Sequence, residues 1–293
     1  MPELPDVTVY VEALQKRLVG QSLTKMRLAS PFVLRTVEPS PSEAAGRRVK
    51  DIRRVGKRIV LELEGELFIV IHLMIAGRFK WLAPNAKIPG KVGLAAFDFP
   101  NGTLLLTEAG SKRRAAIHIV RGAAGLAEHD RGGLEPLAMT LIEFSDALTR
   151  ERHTLKRSLT DPHLFSGIGN AYSDEILHRA RLSPVQMSTN LSEEEIVRLY
   201  DAIRGTLIDW TDRLRRDAGD GFPEKVTAFR EGMAVHGRYN QPCPVCGTPV
   251  QRIVYSENET NYCARCQTGG RLLADRALSR LLHGDWPKSI DEL

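Results

Sequence analysis

Near its start the chain carries apolar residues at helical spacing. Tyr10, Val11, Leu14 and Leu18 share one face, and a helix is expected from about Val7 to Val19, N-capped by Asp6 and stopped by Gly20. From Ser22 to about Val120 the pattern shifts toward strand. Arg58 to Glu64 alternates partly at period two, and Glu66 to Ile75 is an apolar run interrupted by His72. Phe97–Phe99, Thr103–Leu106 and Ala116–Val120 are short strand candidates, separated by turn signals such as Pro100-Asn101-Gly102. Many short strands with Gly/Pro turns read as a sandwich or barrel.

Arg121 to Met139 is rich in Gly and small residues and reads as a linker. Beyond it the periodicity is helical, with helices expected over Leu141–Arg150, Leu155–Thr160, Ala171–Ala180 and Ser192–Arg215. Ser192 and Glu195 have capping-box spacing ahead of the stripe Ile196, Leu199, Ile203 and Leu207. Asp217 to Pro223 reads as a mobile loop. Val250–Tyr255 and Thr260–Tyr262 can pair as a hairpin. Leu272, Leu273, Ala277, Leu278 and Leu281 suggest a closing helix. The expectation is an α+β multidomain chain: an N-terminal β-sandwich with its helix over 1–122, a linker over 123–140, a helical domain over 141–235, a small finger over 236–268 and an extension over 269–293.

Charge and cysteine usage sharpen this picture. The chain has 293 residues and a formal net charge of +5, and its basic residues are clustered. Arg47, Arg48, Lys50, Arg53, Arg54, Lys57 and Arg58 fall within one short stretch, and Lys112-Arg113-Arg114 forms a second group. Such patches suit a polyanion, although a solvated basic face explains either one equally well. No apolar run reaches membrane-span length, and the start lacks the basic-then-apolar pattern of a signal peptide. A cytosolic protein without membrane contact is expected. The chain has only four cysteines, Cys243, Cys246, Cys263 and Cys266. Two C-x-x-C pairs in a cytosolic chain can wrap four thiolates around one Zn2+, which leaves no open coordination position and makes the metal structural.

Three further stretches carry chemistry. Met1-Pro2-Glu3 places a small residue after the initiator, so removal of Met1 leaves Pro2 with a free secondary amine. An α-amino group has a pKa of about 8, so part of it is neutral and nucleophilic near neutrality. Glu3 adds a carboxyl for proton transfer beside it. Gly56-Lys57 projects a lysine from a turn. Gly167-Ile168-Gly169-Asn170 ahead of a helix offers backbone N–H groups to an anion.

Taken in order, these stretches resemble the formamidopyrimidine-DNA glycosylase / endonuclease VIII family. Pro2-Glu3-Leu4-Pro5, Gly56-Lys57, Ile71-His72-Leu73, Gly133-Leu134-Glu135-Pro136-Leu137, Lys156 with Gly167-Ile168-Gly169-Asn170, and His236-Gly237-Arg238 before the cysteines all find counterparts there. The resemblance implies an N-terminal β-sandwich, a helix-two-turn-helix domain and a C-terminal β-hairpin zinc finger, acting as a monomer on damaged double-stranded DNA held in a cleft. It implies excision of an oxidised or ring-opened base through a Schiff base on Pro2, with Glu3 and Lys57 assisting, then β-elimination. It further implies DNA contacts from His72, Met74, Arg113, Arg114, Lys156 and Asn170.

The departures bear on the same function. Asn258 stands where the family has a finger arginine linked to δ-elimination, leaving Arg252, Arg265 and Arg271 as possible substitutes. Ile75, beside Met74, stands at the void-filling methionine, and Leu94 at a DNA-contacting histidine. Glu108 to Arg114 replaces an Asp-Pro-Arg-Arg-Phe loop, and the lesion-capping loop is shortened around Asp217 to Pro223. A non-catalytic damaged-DNA-binding relative of the same fold is the alternative reading. The intact Pro2-Glu3 start speaks against it.

Overall fold

The structure is a computed structural model describing residues 1–110, 112–224, 226, 230–255, 258–274 and 287–292. The chain opens with helix α1 (Leu4–Leu18), three residues earlier than the spacing suggested. Glu3, not Asp6, is the N-cap: Asp6 lies at the third helical position and its carboxylate accepts the Glu3 N–H at 2.9 Å. Pro5 sits in the first turn, where a missing N–H costs nothing. The early start buries Leu4 and Val7 together with Tyr10, Leu14 and Leu18.

Strands β1 (Lys25–Leu28), β2 (Val49–Val55), β3 (Arg58–Leu63), β4 (Leu67–His72), β5 (Gly77–Leu82), β6 (Gly93–Phe99), β7 (Gly102–Glu108) and β8 (Ala116–Arg121) follow, with the one-turn helix α2 (Pro41–Ala44) between the first two. They form two four-stranded sheets, ordered β1-β6-β7-β5 and β2-β3-β4-β8, with every neighbour antiparallel. Ile52, Ile59, Leu61, Ile69, Ile71 and Ile117 of one sheet share a core with Phe79, Phe97, Leu104 and Leu106 of the other and with the apolar face of α1. This is the expected β-sandwich. The imperfect alternation of β4 has a physical cause: its other face is covered too. Val60, Phe68 and Val70 form a second, smaller core with Val120 and Leu126, and Leu126 belongs to α3 (Gly122–Ala127), inside the stretch that reads as linker.

Helices α4 (Leu141–Thr149), α5 (Leu155–Thr160), α6 (Asn170–Ala180) and α7 (Glu193–Ala218) come next. The capping box before α7 is formed: the Ser192 N–H donates to the Glu195 carboxylate at 3.1 Å, and the Glu195 N–H donates to the Ser192 hydroxyl at 3.2 Å. The finger is the hairpin of β9 (Gln251–Tyr255) and β10 (Asn258–Tyr262) followed by α8 (Ala264–Thr268). Two compact units result. One contains Met1–Arg131 and Trp210–Thr227; the other contains Gly132–Asp209 and Ala228–Leu293. Leu272, Leu273 and Ile290 join the hydrophobic cluster of the finger, whereas Ala277, Leu278 and Leu281 of the expected closing helix lie outside the described residues. Among the described residues no helix is long and apolar enough to cross a membrane.

Candidate active site and zinc centre

The N-terminal turn is buried. Pro2 is buried, and Glu3 is only 2% exposed. The terminal ammonium on Met1 has its pKa lowered from 8.0, first by burial and then by the positive charges of Arg78 and Lys57, while Glu3 and Asp6 act in the opposite direction. An amine in such surroundings loses its proton more readily than one in water. Those effects also place Lys57, Glu3 and Arg78 within electrostatic reach of the chain start. Arg78 on β5 is a member that sequence reading missed, because a lone arginine in a strand carries no signal.

Local geometry explains the position of Lys57. Val55 and Arg58 pair across the β2–β3 ladder, so Gly56 and Lys57 form a two-residue hairpin turn. Gly56 has φ +60° while Lys57 stays at negative φ, as the type II′ turn requires. His72 ends β4 and pairs with Arg58. Burial, then the nearby charges of Arg58, Lys57 and His118, push its pKa down to about 4. Its Nδ1 accepts the Met74 N–H at 3.1 Å, so the neutral ring carries its hydrogen on Nε2. Met74 is half-buried with φ +53°, and the exposed apolar side chain of this turn is Ile75, at 57%.

The basic clusters divide differently from their reading as patches. Arg53 pairs with Glu62 and Asp51, Lys50 with Glu62, and Arg48 with Glu64, so much of the β2 cluster is neutralised within its own sheet. Arg113 and Arg114 are exposed. Their loop is shaped by the buried Glu108 carboxylate, which accepts the N–H groups of Arg114 and Ala115 at 2.9 Å each. Leu94 is buried in the sandwich core and reaches no surface.

In the helical unit one buried carboxylate gathers the expected contact residues. Asp174 on α6 is 1% exposed. It ion-pairs with Lys156 and bonds His236 Nδ1 at 2.8 Å and the Asn261 N–H at 3.2 Å. Lys156 also donates to the Asn170 carbonyl at 2.7 Å, and Asn170 Nδ2 donates to the Glu259 carbonyl of the finger hairpin at 2.9 Å. Lys156 and Asn170 are thus brought together and tied to the hairpin. Neighbouring Glu175 accepts three backbone N–H groups, from Ala234, Val235 and His236. Sequence reading passed over both acids, because α6 mixes polar and apolar residues and its burial appears only in the fold.

The finger brings its four sulfurs within 4.8 Å of one another, with Cys243–Cys266 at 3.9 Å and Cys246–Cys263 at 3.4 Å. Zn–S bonds of about 2.3 Å in a tetrahedron put sulfurs about 3.8 Å apart, so the set fits one zinc. The surroundings hold this geometry. The Cys263 N–H donates to Gln267 Oε1 at 2.8 Å, and Gln267 Nε2 donates to the Leu182 carbonyl at 2.9 Å. His178 Nε2 lies 3.3 Å from the Cys243 sulfur. Asn258 is exposed at the start of β10. Arg252 stacks on Tyr239, 4.2 Å from the ring centroid, and meets Glu259 at 3.4 Å; Arg265 is held by Asp291; the Arg271 backbone bridges to Ser289.

Three domains of known proteins match the chain in this order. The N-terminal domain of formamidopyrimidine-DNA glycosylase matches residues 1–114, its H2TH domain matches 133–210, and the zinc finger found in FPG and IleRS matches 240–269. A formamidopyrimidine-DNA glycosylase of Heliobacterium modesticaldum is 34% identical over 277 residues, covering 91% of this chain and all of that protein. The Thermus thermophilus protein of that name is 33% identical over 284 residues, covering 92% of this chain and 100% of its own. The chain belongs to the formamidopyrimidine-DNA glycosylase family. The crystal structure of the Thermus Fpg protein covers 91% of this chain and 98% of its own at 32% identity and a TM-score of 0.74. A complex of Lactococcus lactis Fpg with DNA containing an abasic site shares the fold, with a TM-score of 0.81, 23% identity and coverage of 91% and 99%. With the family's finger matched over the four-cysteine cluster, the chain is an enzyme of the glycosylase class with one structural Zn2+.

Three outcomes follow from this geometry. Elemental analysis of the purified protein will give one zinc per chain, lost together with finger order in Cys263→Ser. Asp174→Ala will leave Lys156 and His236 without their buried partner and cost about 3–5 kcal/mol in denaturant titrations. His72 binds its proton less readily folded, at about 4 against 6.5 unfolded. The unfolded chain therefore takes up the proton first as pH falls, and stability declines from pH 6.5 toward 4. In denaturation at pH 7 and pH 5, His72→Asn, whose side-chain oxygen keeps the Met74 contact, will reduce that decline.

Proposed function

We propose that the chain excises an oxidised or ring-opened base from double-stranded DNA and then cuts the strand at the resulting abasic site. The observation that carries this reading is the buried chain start, where the terminal amine holds its proton weakly beside Glu3 and Lys57. Removal of Met1 hands that environment to the Pro2 nitrogen. The same nitrogen in a mere binder would need no such tuning.

The damaged nucleotide first leaves the base stack, because C1′ is out of reach inside a duplex. The neutral Pro2 nitrogen attacks C1′, the C1′–base bond breaks with its electron pair leaving on the base, and the hydrogen of the attacking nitrogen passes to that base as a proton. Glu3 donates a proton to the sugar ring oxygen, the C1′–O4′ bond opens, and the C1′–N bond becomes an iminium. That cation acidifies the 2′ hydrogen. Loss of the 2′ proton and departure of the 3′ phosphate complete β-elimination, and water then hydrolyses the iminium and frees Pro2.

Lys57, projecting from its turn, assists the lyase step and holds a flanking phosphate. We assign backbone phosphates to Nε2–H of neutral His72, to exposed Arg113 and Arg114, to the remaining N–H of Lys156, and to Asn170. The gap left by the extruded base is assigned to the Met74–Ile75 tip. Asn258 brings no guanidinium, Arg252 and Arg265 are engaged by Glu259 and Asp291, and Arg271 is the remaining arginine of the three, so we assign β-elimination as the main cut. Those finger contacts also favour the second reading, a damage binder without catalysis.

Borohydride trapping on duplex DNA with one abasic site separates the two. Wild type, with Met1 shown by intact mass to be absent, will give an adduct mapping to Pro2, and Glu3→Gln will slow its formation at least tenfold. Product gels will show the β-elimination end and little δ-elimination. The rate will fall in acid, because protonation removes the nucleophile. DNA binding with no adduct would leave only the damage-binding reading.

A further inference from the structure

The segment Trp210–Thr227 packs with the N-terminal unit, although the chain on either side of it belongs to the helical unit. It comprises the last turns of α7 and the loop after them, and it is fastened along α1. Arg215 on α7 grips Glu12 on α1: its Nε reaches the two carboxylate oxygens at 3.2 and 3.0 Å, and a terminal nitrogen reaches Oε1 at 2.6 Å. Asp212, one turn back, takes another guanidinium hydrogen at 2.7 Å and fixes the fork from behind. A turn further along α1, Arg17 donates to the Asp220 carbonyl at 3.3 Å and lies over the Phe222 ring at 5.5 Å. Phe222 packs on Tyr10 at 5.8 Å, and Val226 enters the sandwich core. The stretch that reads as a mobile loop is therefore a strap.

We infer that this strap is a positioning device for the proposed reaction, with Arg215 and Glu12 as its positioning pair. The inference rests on the proposed role of Pro2 and Glu3; Glu3 is the N-cap of the same helix, about two and a half turns before Glu12, and Pro2 precedes it. An exposed ion pair contributes little to stability, but a two-oxygen grip on a guanidinium fork fixes orientation. Tyr10, Glu12 and Arg17 are held over two turns of α1, which opposes rotation of the helix about its axis and sliding along it. A rotation of α1 would carry Glu3 and the Pro2 nitrogen off line for C1′, and misplacement of about 1 Å costs on the order of 100-fold in rate. Arg215 touches no reacting atom; it acts through α1.

The test uses the full-length protein in a double-mutant cycle of Arg215→Met and Glu12→Gln, with DNA affinity, single-turnover trapping rate and hydrogen exchange of α1 amides all measured. Each single variant will slow trapping about tenfold at saturating enzyme, with affinity changed less than twofold and the thermal midpoint nearly unmoved. The double variant will be no slower than either single, because one interaction has been removed. Exchange over Val7–Leu14 will rise in each. Unchanged trapping and exchange would overturn the inference, as would a rate loss matched by equal losses of affinity and melting temperature. If wild type forms no adduct, the proposed chemistry fails by itself. Exchange then judges the strap: a rise in Arg215→Met keeps its hold on α1, and no rise ends it.

Discussion

Burial of the first turn is the constraint on which the N-terminal unit depends. A chain start normally frays, since its groups are charged and its backbone donors are unsatisfied. Here Pro5 lies where no donor is needed, and Asp6 satisfies the Glu3 N–H. Leu4 is buried beside them, and Val7 anchors the turn in the sandwich core. The same burial weakens the hold of the terminal amine on its proton. The packing of the turn and the lowered proton affinity of its amine thus share one cause, namely removal of the turn from water.

The helical unit and its finger rest on a comparable economy. Asp174 is a buried charge, and a buried charge persists only when paired and hydrogen-bonded. Its partners come from three places in the sequence: Lys156 on α5, His236 ahead of the finger, and Asn261 on β10. Glu175 fixes the backbone of 234–236 in the same manner. Lys156, to which a backbone phosphate is assigned under the proposed function, is therefore held by a buried carboxylate. The zinc centre extends this pattern, with Gln267 and His178 tying cysteine backbone and sulfur to the helices around them.

Much of the fold and part of the site were legible in the sequence. The helices Leu141–Thr149, Leu155–Thr160 and Asn170–Ala180 are read nearly to their ends, because apolar spacing and caps are local properties. The four cysteines are legible for the same reason: the two C-x-x-C spacings are local and specify a four-thiolate site. The Gly56-Lys57 turn follows from the φ that only glycine adopts cheaply. The order of the family's motifs is likewise carried by the linear chain.

Tertiary structure decided what depends on partners far apart in sequence. Whether Arg53 faces a polyanion or a neighbour was settled by Glu62 across the ladder. The double burial of β4 was settled by α3 folding over its outer face. Asp6 lost the cap to Glu3 because the core needed Leu4 and Val7 inside. The segment after α7 became a strap because Arg215 found Glu12, 203 positions away. Periodicity, turns and metal knuckles are written in spacings of a few residues. Ion pairs and burial are written in contacts, which exist only after the chain has folded.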